Sequence, residues 1–332
     1  MAGRYEPEWS QPHGGARFSR RSETCFNGFI EGFWRPRALP IPRLPVPALA
    51  SVGHIPNGTT VDLPGRGSTY VYDSGPCDGP TYVLLHSLAC TGLVTWYPAL
   101  DAVREFGRVV VFDQRCHGQG ILPPRMLLED CADDVAALAD VLDIPSFVPV
   151  GYSMGSLVAQ LVWKRHRERV DGLVLCAAAA AVSRAAYERV ATGVFAALIE
   201  AVSPAPRLCE PAKAANHGYF RDHQWVLGQI RSTSPGSITR AIAEVVRFDS
   251  TSWVSEIDVP TAVVVTMKDR AFGVRRQKWL ASQIPNAEMV PVDAGHAGCT
   301  LQPAAFVPGL RRAIESVHGR LPASRHTERM AE

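Results

Sequence analysis

Phe147-Val148-Pro149-Val150-Gly151-Tyr152-Ser153-Met154-Gly155-Ser156-Leu157 is the stretch on which the reading of this chain turns. A mostly apolar run leads into Gly-x-Ser-x-Gly, and a helical pattern begins directly after it. The physical reading is a buried strand that ends at Gly151, turns sharply at Ser153 and becomes a helix. Such a turn drives the serine backbone toward strained φ/ψ, so small neighbours are needed, and Gly151 and Gly155 supply the space. It would lift one hydroxyl above a sheet with a helix N-terminus behind it. The five-residue pattern alone is weak; its setting between strand and helix makes Ser153 a candidate nucleophile.

Outward from that turn, the chain of 332 residues is long enough for one large core with a smaller insert. The formal net charge of +2 and the absence of a basic run or basic-aromatic stripe argue against nucleic acid as a partner. The eight cysteines are scattered without a Cys-x-x-Cys pair, which argues against a zinc site or a disulfide framework and fits a reducing cytoplasm. No apolar run reaches the roughly 18 residues that cross a bilayer, and no secretory leader pattern follows the N-terminal arginines.

Residues 1–50 read as an extension, polar and without regular structure up to about residue 22. Within it Phe26, Phe29, Ile30, Phe33 and Trp34 recur at helical spacing. Over residues 24–34 this stripe suits either an interfacial helix on a membrane or lipid, or a helix docked on the protein itself or in a dimer; the second reading is preferred. A proline-rich connector follows at 36–47. A first core segment is expected over 51–182, with strands at 59–63, 68–72, 80–85, 108–113, 147–151 and 170–176. Helices are expected at 96–105, 130–142 and 156–165. Residues 183–250 break the rhythm with helical segments at 185–202 and 239–246, and read as an inserted helical cap. The second core segment, 251–319, resumes with a strand at 261–265, a helix at 275–284, a strand at 287–292 and a closing helix at 303–317, before a disordered tail over 320–332. Strands alternating with helices imply a doubly wound, mostly parallel sheet.

A serine hydroxyl needs a base in hydrogen-bond reach, and the base needs an orienting partner. In an open parallel sheet these collect at the carboxyl ends of strands. Asp269 follows the 261–265 run, and His296 lies in Asp293-Ala294-Gly295-His296-Ala297-Gly298 after the last strand. His296 is the candidate base and Asp269 the candidate orienting acid, with Asp249 and Asp258 as the nearest competitors. The order Ser153, Asp269, His296, read with the turn at 151–155, resembles the α/β-hydrolase superfamily from about residue 51 to 318. Asp113-Gln114-Arg115-Cys116-His117-Gly118-Gln119-Gly120 is similar to its Asp-x-Arg-x-His-Gly-x-Gly segment, and residues 166–170 resemble the lead into its sixth strand. In the family these are structural, so His117 takes no catalytic role.

The resemblance implies an α/β-hydrolase fold with a helical cap, a serine hydrolase mechanism through an acyl-enzyme, and no metal or cofactor. It implies an oxyanion hole from the backbone N–H of Met154 and of Leu88, the latter in His86-Ser87-Leu88, where Ser87 stands in place of the usual glycine. That turn is similar to the one in enol-lactonase-like members, and His86 is read as part of it, not as a base. Serine at the elbow, in place of aspartate, sets the chain apart from haloalkane dehalogenases and epoxide hydrolases. The leading expectation is cleavage of a carboxylic ester. Lactone or carbon–carbon hydrolysis by the same triad, acyl transfer to an alcohol, and a ligand-binding receptor-like role are the alternatives. The substrate is a small molecule, expected to carry an apolar part because Phe195, Leu198, Tyr219, Phe220, Trp225 and Leu227 populate the cap. Nothing in the sequence fixes the oligomeric state.

Overall fold

Strands covered on both faces read as uninterrupted apolar runs without alternation, and such runs build the centre of the sheet. The computed structural model describes residues 55–182 and 219–322, with Ala191, Val194 and Leu198 between them. The expectations for the stripe at 24–34, the connector at 36–47 and the tail beyond residue 322 lie outside the described residues, as does the helix at 185–202 apart from Ala191, Val194 and Leu198, which are helical.

Eight strands form one sheet: β1 (Thr59–Leu63), β2 (Gly67–Asp73), β3 (Thr81–Leu85), β4 (Arg108–Phe112), β5 (Val148–Tyr152), β6 (Leu173–Cys176), β7 (Thr261–Thr266) and β8 (Glu288–Val292). Their order is β1-β2-β4-β3-β5-β6-β7-β8. β1 and β2 form a hairpin through Pro64-Gly65-Arg66, β2 runs antiparallel to β4, and all later pairs are parallel. The turn needs Gly65 at φ 73° and Gly67 at φ 119°, conformations that cost glycine nothing. Every residue of β3, β5, β6 and β7 is buried, whereas the edge strands β1 and β8 each leave three of their five residues exposed.

The helices are α1 (Gly92–Trp96), α2 (Leu100–Arg104), α3 (Leu128–Val141), α4 (Met154–Arg165), α5 (Tyr219–Arg231), α6 (Pro235–Arg247), α7 (Val274–Gln283), α8 (Gly298–Leu301) and α9 (Pro303–His318). One face of the sheet buries Leu138 of α3, Leu157 and Val158 of α4 and Leu280 of α7. The other buries Leu93 and Trp96 of α1, Val103 of α2, and Phe306, Leu310 and Ile314 of α9. At roughly 25 cal/mol per Å² of apolar area, burying side chains of this size on both faces is the main stabilising term.

Three expectations need correction. The helix over 96–105 is two short helices, because Pro98 offers no N–H and interrupts the ladder between α1 and α2. The strand over 170–176 starts only at Leu173, since Arg167–Arg169 forms a 3-10 turn first. Arg320 does not open a loose tail: its guanidinium donates to Thr261 O (2.9 Å) and Asn286 O (2.8 Å), at the start of β7 and just before β8. Among the described residues no helix is long and apolar enough to cross a membrane.

Candidate active site

The serine turn takes the strained form its sequence demands. Ser153 has φ 54° and ψ −115°, a conformation costing on the order of 1–3 kcal/mol for a residue with a side chain. Its surroundings over-determine it. Ser153 N–H donates to Cys176 O across to β6 (2.9 Å), while Ser156 N–H (2.9 Å) and Ser156 Oγ (2.6 Å) both donate to Ser153 O. A Cβ on Gly151 would stand 2.3 Å from Gly155 O, and one on Gly155 would stand 2.2 Å from Leu85 O. Both glycines are therefore required by close backbone approach. The hydroxyl is held at the carboxyl end of β5 with the first turn of α4 behind it.

His296 reaches this hydroxyl from the loop after β8. Ser153 Oγ and His296 Nε2 are 2.7 Å apart, and His296 Nδ1 is 2.7 Å from Asp269 Oδ2. The loop is tied down on several sides: Tyr152 Oη donates to His296 O (2.7 Å), Gly295 N–H donates to Gln302 Oε1 (2.7 Å), and Lys268 N–H donates to Ala294 O (2.9 Å). Phe272 and Tyr152 meet the imidazole edge-on. A fixed ring is what a proton relay needs, because misplacement by about 1 Å can cost about 100-fold in rate.

Asp269 sits just past β7 with its side chain fully covered. Oδ1 accepts from the N–H groups of Ala271 (2.8 Å), Phe272 (3.0 Å) and Gly273 (3.4 Å). Oδ2 accepts from Thr266 Oγ1 (2.8 Å) and Gln277 Nε2 (2.9 Å) as well as from His296. Burial works to raise its pKa, but the hydrogen bond and charge of His296, with Thr266 and Gly273, outweigh it and hold the carboxyl below the usual range. An ionised Asp269 only accepts, so His296 carries its proton on Nδ1 and turns the Nε2 lone pair to Ser153. The competing acids are engaged elsewhere: Asp249 caps Thr251, and Asp258 accepts from Trp163 and pairs with Arg167. Thr266 and Gln277 had no signal in the sequence, because a threonine ending a strand and a glutamine in a helix are ordinary there.

The two expected oxyanion donors lie beside this turn. Met154 opens α4, and Leu88 lies in the turn after β3; neither N–H has a backbone acceptor among the described residues. His86 is fully buried and stands outside the relay: its Nε2 accepts from Gln114 N–H (2.8 Å) and its Nδ1 donates to Ser87 O (2.8 Å). Burial, and then His117 nearby, hold its pKa well below 6.5. The segment 113–120 is scaffold. Asp113 accepts from Gly92 N–H and Gln119 N–H, and burial pushes it up to about 6. Arg115 and Arg66 both pair with Asp134 of α3. A Cβ on Gly118 would stand 2.2 Å from Asp113 Oδ2.

Of the apolar residues expected to form a cap, Trp225 is core, packed edge-on against Tyr97, while Leu198 and Leu227 face solvent at 60% and 47% exposure. The side chains of Phe195, Tyr219 and Phe220 lie outside the described residues. A cavity of about 550 Å³ bounded by Arg167, Asp258 and Pro260 lies before β6 and β7, at the end of the sheet opposite Ser153.

A strand-turn-helix serine, a histidine after the last strand and an acid after the preceding one, on this sheet order, define a class. The family described as alpha/beta hydrolase fold matches residues 80–303, and the chain belongs to it. It is similar to a chain of Agrobacterium fabrum that carries the name carbamate hydrolase RutD provisionally, at 25% identity over 71% of this chain and 93% of the other. It is likewise similar to the pimeloyl-[acyl-carrier protein] methyl ester esterase of Chromobacterium violaceum, at 26% identity over 72% and 95%. Among solved structures, the enol-lactonase of Burkholderia xenovorans LB400 superposes with a TM-score of 0.62 at 26% identity, over 77% of this chain and all of the other. The chain is thus a hydrolase of the α/β fold.

Proposed function

We propose that this protein hydrolyses a carboxylic ester of a small molecule through an acyl-enzyme on Ser153. The observation that carries the proposal is the unbroken relay Ser153 Oγ–His296–Asp269, with both contacts to the imidazole at 2.7 Å. Ser153 Oγ attacks the ester carbonyl as its proton passes to His296 Nε2. The carbonyl oxygen becomes an oxyanion facing the N–H groups of Met154 and Leu88. Asp269 holds the imidazolium, which returns the proton to the departing alkoxide. Water then repeats the sequence on the acyl-enzyme, giving its proton to His296 and releasing the acid.

A second reading, lactone hydrolysis, is favoured by the likeness to an enol-lactonase and by the His86-Ser87-Leu88 turn. It uses the same steps with a leaving alcohol that stays tethered to the acyl group. A panel of p-nitrophenyl esters of rising acyl length, γ- and δ-lactones, alkyl carbamates and vinylogous diketones separates the readings. The ester reading expects the highest kcat/KM on an open-chain ester. A lactone preference of 100-fold or more, about 2.7 kcal/mol in transition-state stabilisation, transfers the assignment to the second reading.

A further inference from the structure

His86 lies outside the relay, yet its hydrogen bonds fix the direction of the second oxyanion donor. Gln114 N–H can only donate, so His86 Nε2 accepts (2.8 Å); Ser87 O can only accept, so His86 Nδ1 donates (2.8 Å). The neutral Nδ1–H tautomer satisfies both at once. Ser87 O takes a second bond from Cys90 N–H (3.3 Å), and Ser87 N–H donates to Thr95 Oγ1 (3.3 Å). The described residues hold no cis peptide. In a planar trans peptide the N–H points opposite to the C=O. Pinning Ser87 O on the His86 side therefore turns Leu88 N–H the other way. That N–H has no backbone acceptor among the described residues. Ala89 follows at φ 61°, so the turn adopts a conformation that its own residues do not favour and that outside contacts must hold.

We infer that His86 is a positioning residue that clamps the Ser87–Leu88 peptide and so aims the Leu88 N–H at the developing oxyanion. Gln114 N–H, the imidazole, the Ser87 carbonyl and the Leu88 N–H form one directed chain of hydrogen bonds. Bonds in such a chain polarise one another, so the Leu88 N–H becomes a stronger donor as well as a fixed one. Gln114 Nε2 donates to His86 O (2.9 Å) and completes the hold on both ends of the residue. The inference rests on the acyl-transfer reading of Ser153.

The test uses two substitutions that divide the two ring nitrogens. In His86→Asn the amide nitrogen stands near the place of Nδ1 and keeps the bond to Ser87 O while giving up Gln114. In His86→Gln the amide oxygen stands near the place of Nε2 and keeps Gln114 while giving up Ser87 O. Steady-state ester kinetics, urea midpoints and the inhibition constant of a trifluoromethyl ketone are measured for both and for wild type. Removing an oxyanion donor outright costs about 100- to 1,000-fold in kcat, and a misaimed one should cost less. His86→Gln is expected to lower kcat about 10- to 100-fold with KM changed less than about three-fold, and to weaken the ketone by a similar factor. His86→Asn is expected to recover most of that loss whatever its urea midpoint. Equal kcat in His86→Gln and wild type overturns the inference, as does a kcat that follows the urea midpoint in both variants. Wild type that turns over no ester and takes no covalent serine inhibitor overturns the acyl-transfer reading, and this inference falls with it.

Discussion

Replacing Asp269 by asparagine separates a catalytic acid from one that merely caps a turn. The new amide has one oxygen, and the three backbone N–H groups of Ala271, Phe272 and Gly273 converge on the Oδ1 position. The oxygen therefore stays there, and the NH₂ takes the Oδ2 position, facing Thr266, Gln277 and His296. Thr266 can rotate its hydroxyl to accept. Gln277 Nε2 is left donor to donor, at a cost of about 1–3 kcal/mol. Against a typical folding free energy of 5–15 kcal/mol the variant stays folded. His296 must now accept at Nδ1, so its proton moves to Nε2 and the base is lost. The same change of tautomer in a serine triad costs about 10⁴ in kcat, roughly 5.5 kcal/mol of activation free energy. Steady-state hydrolysis of p-nitrophenyl esters, with urea unfolding as the control for folding, measures both effects. A folded Asp269→Asn enzyme with kcat within ten-fold of wild type would refute the relay.

Gly155→Ala drives a methyl to 2.2 Å from Leu85 O, so it should lower stability by about 1–3 kcal/mol and displace Ser153, read as a lower urea midpoint and lost turnover. An unchanged midpoint contradicts the close approach of α4 to β3. Burial holds His117 down at about 4, against the ordinary 6.5. Its folded pKa is depressed, so the unfolded chain binds the proton more tightly, and stability falls as pH drops from about 6.5 to 4, by up to about 3 kcal/mol. His86 acts in the same direction. Asp113, raised to about 6, acts in the opposite one, its stabilisation fading as pH rises from 3.8 through 6. His117→Asn keeps a donor for Arg115 O and removes the titration, so its urea midpoint should depend less on pH below 6.5 than that of wild type; an unchanged slope contradicts the assignment.

The serine turn was legible in the sequence because both of its small residues fall in one five-residue pattern: Gly151 lets the chain fold back on Gly155 and Ser156, and Gly155 lets α4 approach Leu85 of β3. Asp269 and His296 were legible for a related reason, since each follows its strand within a few residues and the sheet order does the rest. The support of Asp269 was not: Gln277 reaches back from α7 to a carboxylate eight positions earlier, and no residue type marks such a contact. The role of His86 was hidden likewise, because the bond that sets its tautomer comes from Gln114 just past β4, 28 positions away. The break at Pro98 was written in the sequence and overridden by apolar spacing. Helix α5 was not expected, although Trp225, Val226 and Ile230 of it pack on the core.

The central claim is that Ser153 is an activated nucleophile. Its most direct test is intact mass after exposure of wild type and Ser153→Ala to a fluorophosphonate, with peptide mapping of the adduct. One phosphonyl group on Ser153 of wild type, and none on the variant, is the predicted result. An unlabelled wild type would contradict the claim and favour a ligand-binding role for the same site, and an adduct that persists in Ser153→Ala would place the nucleophile elsewhere.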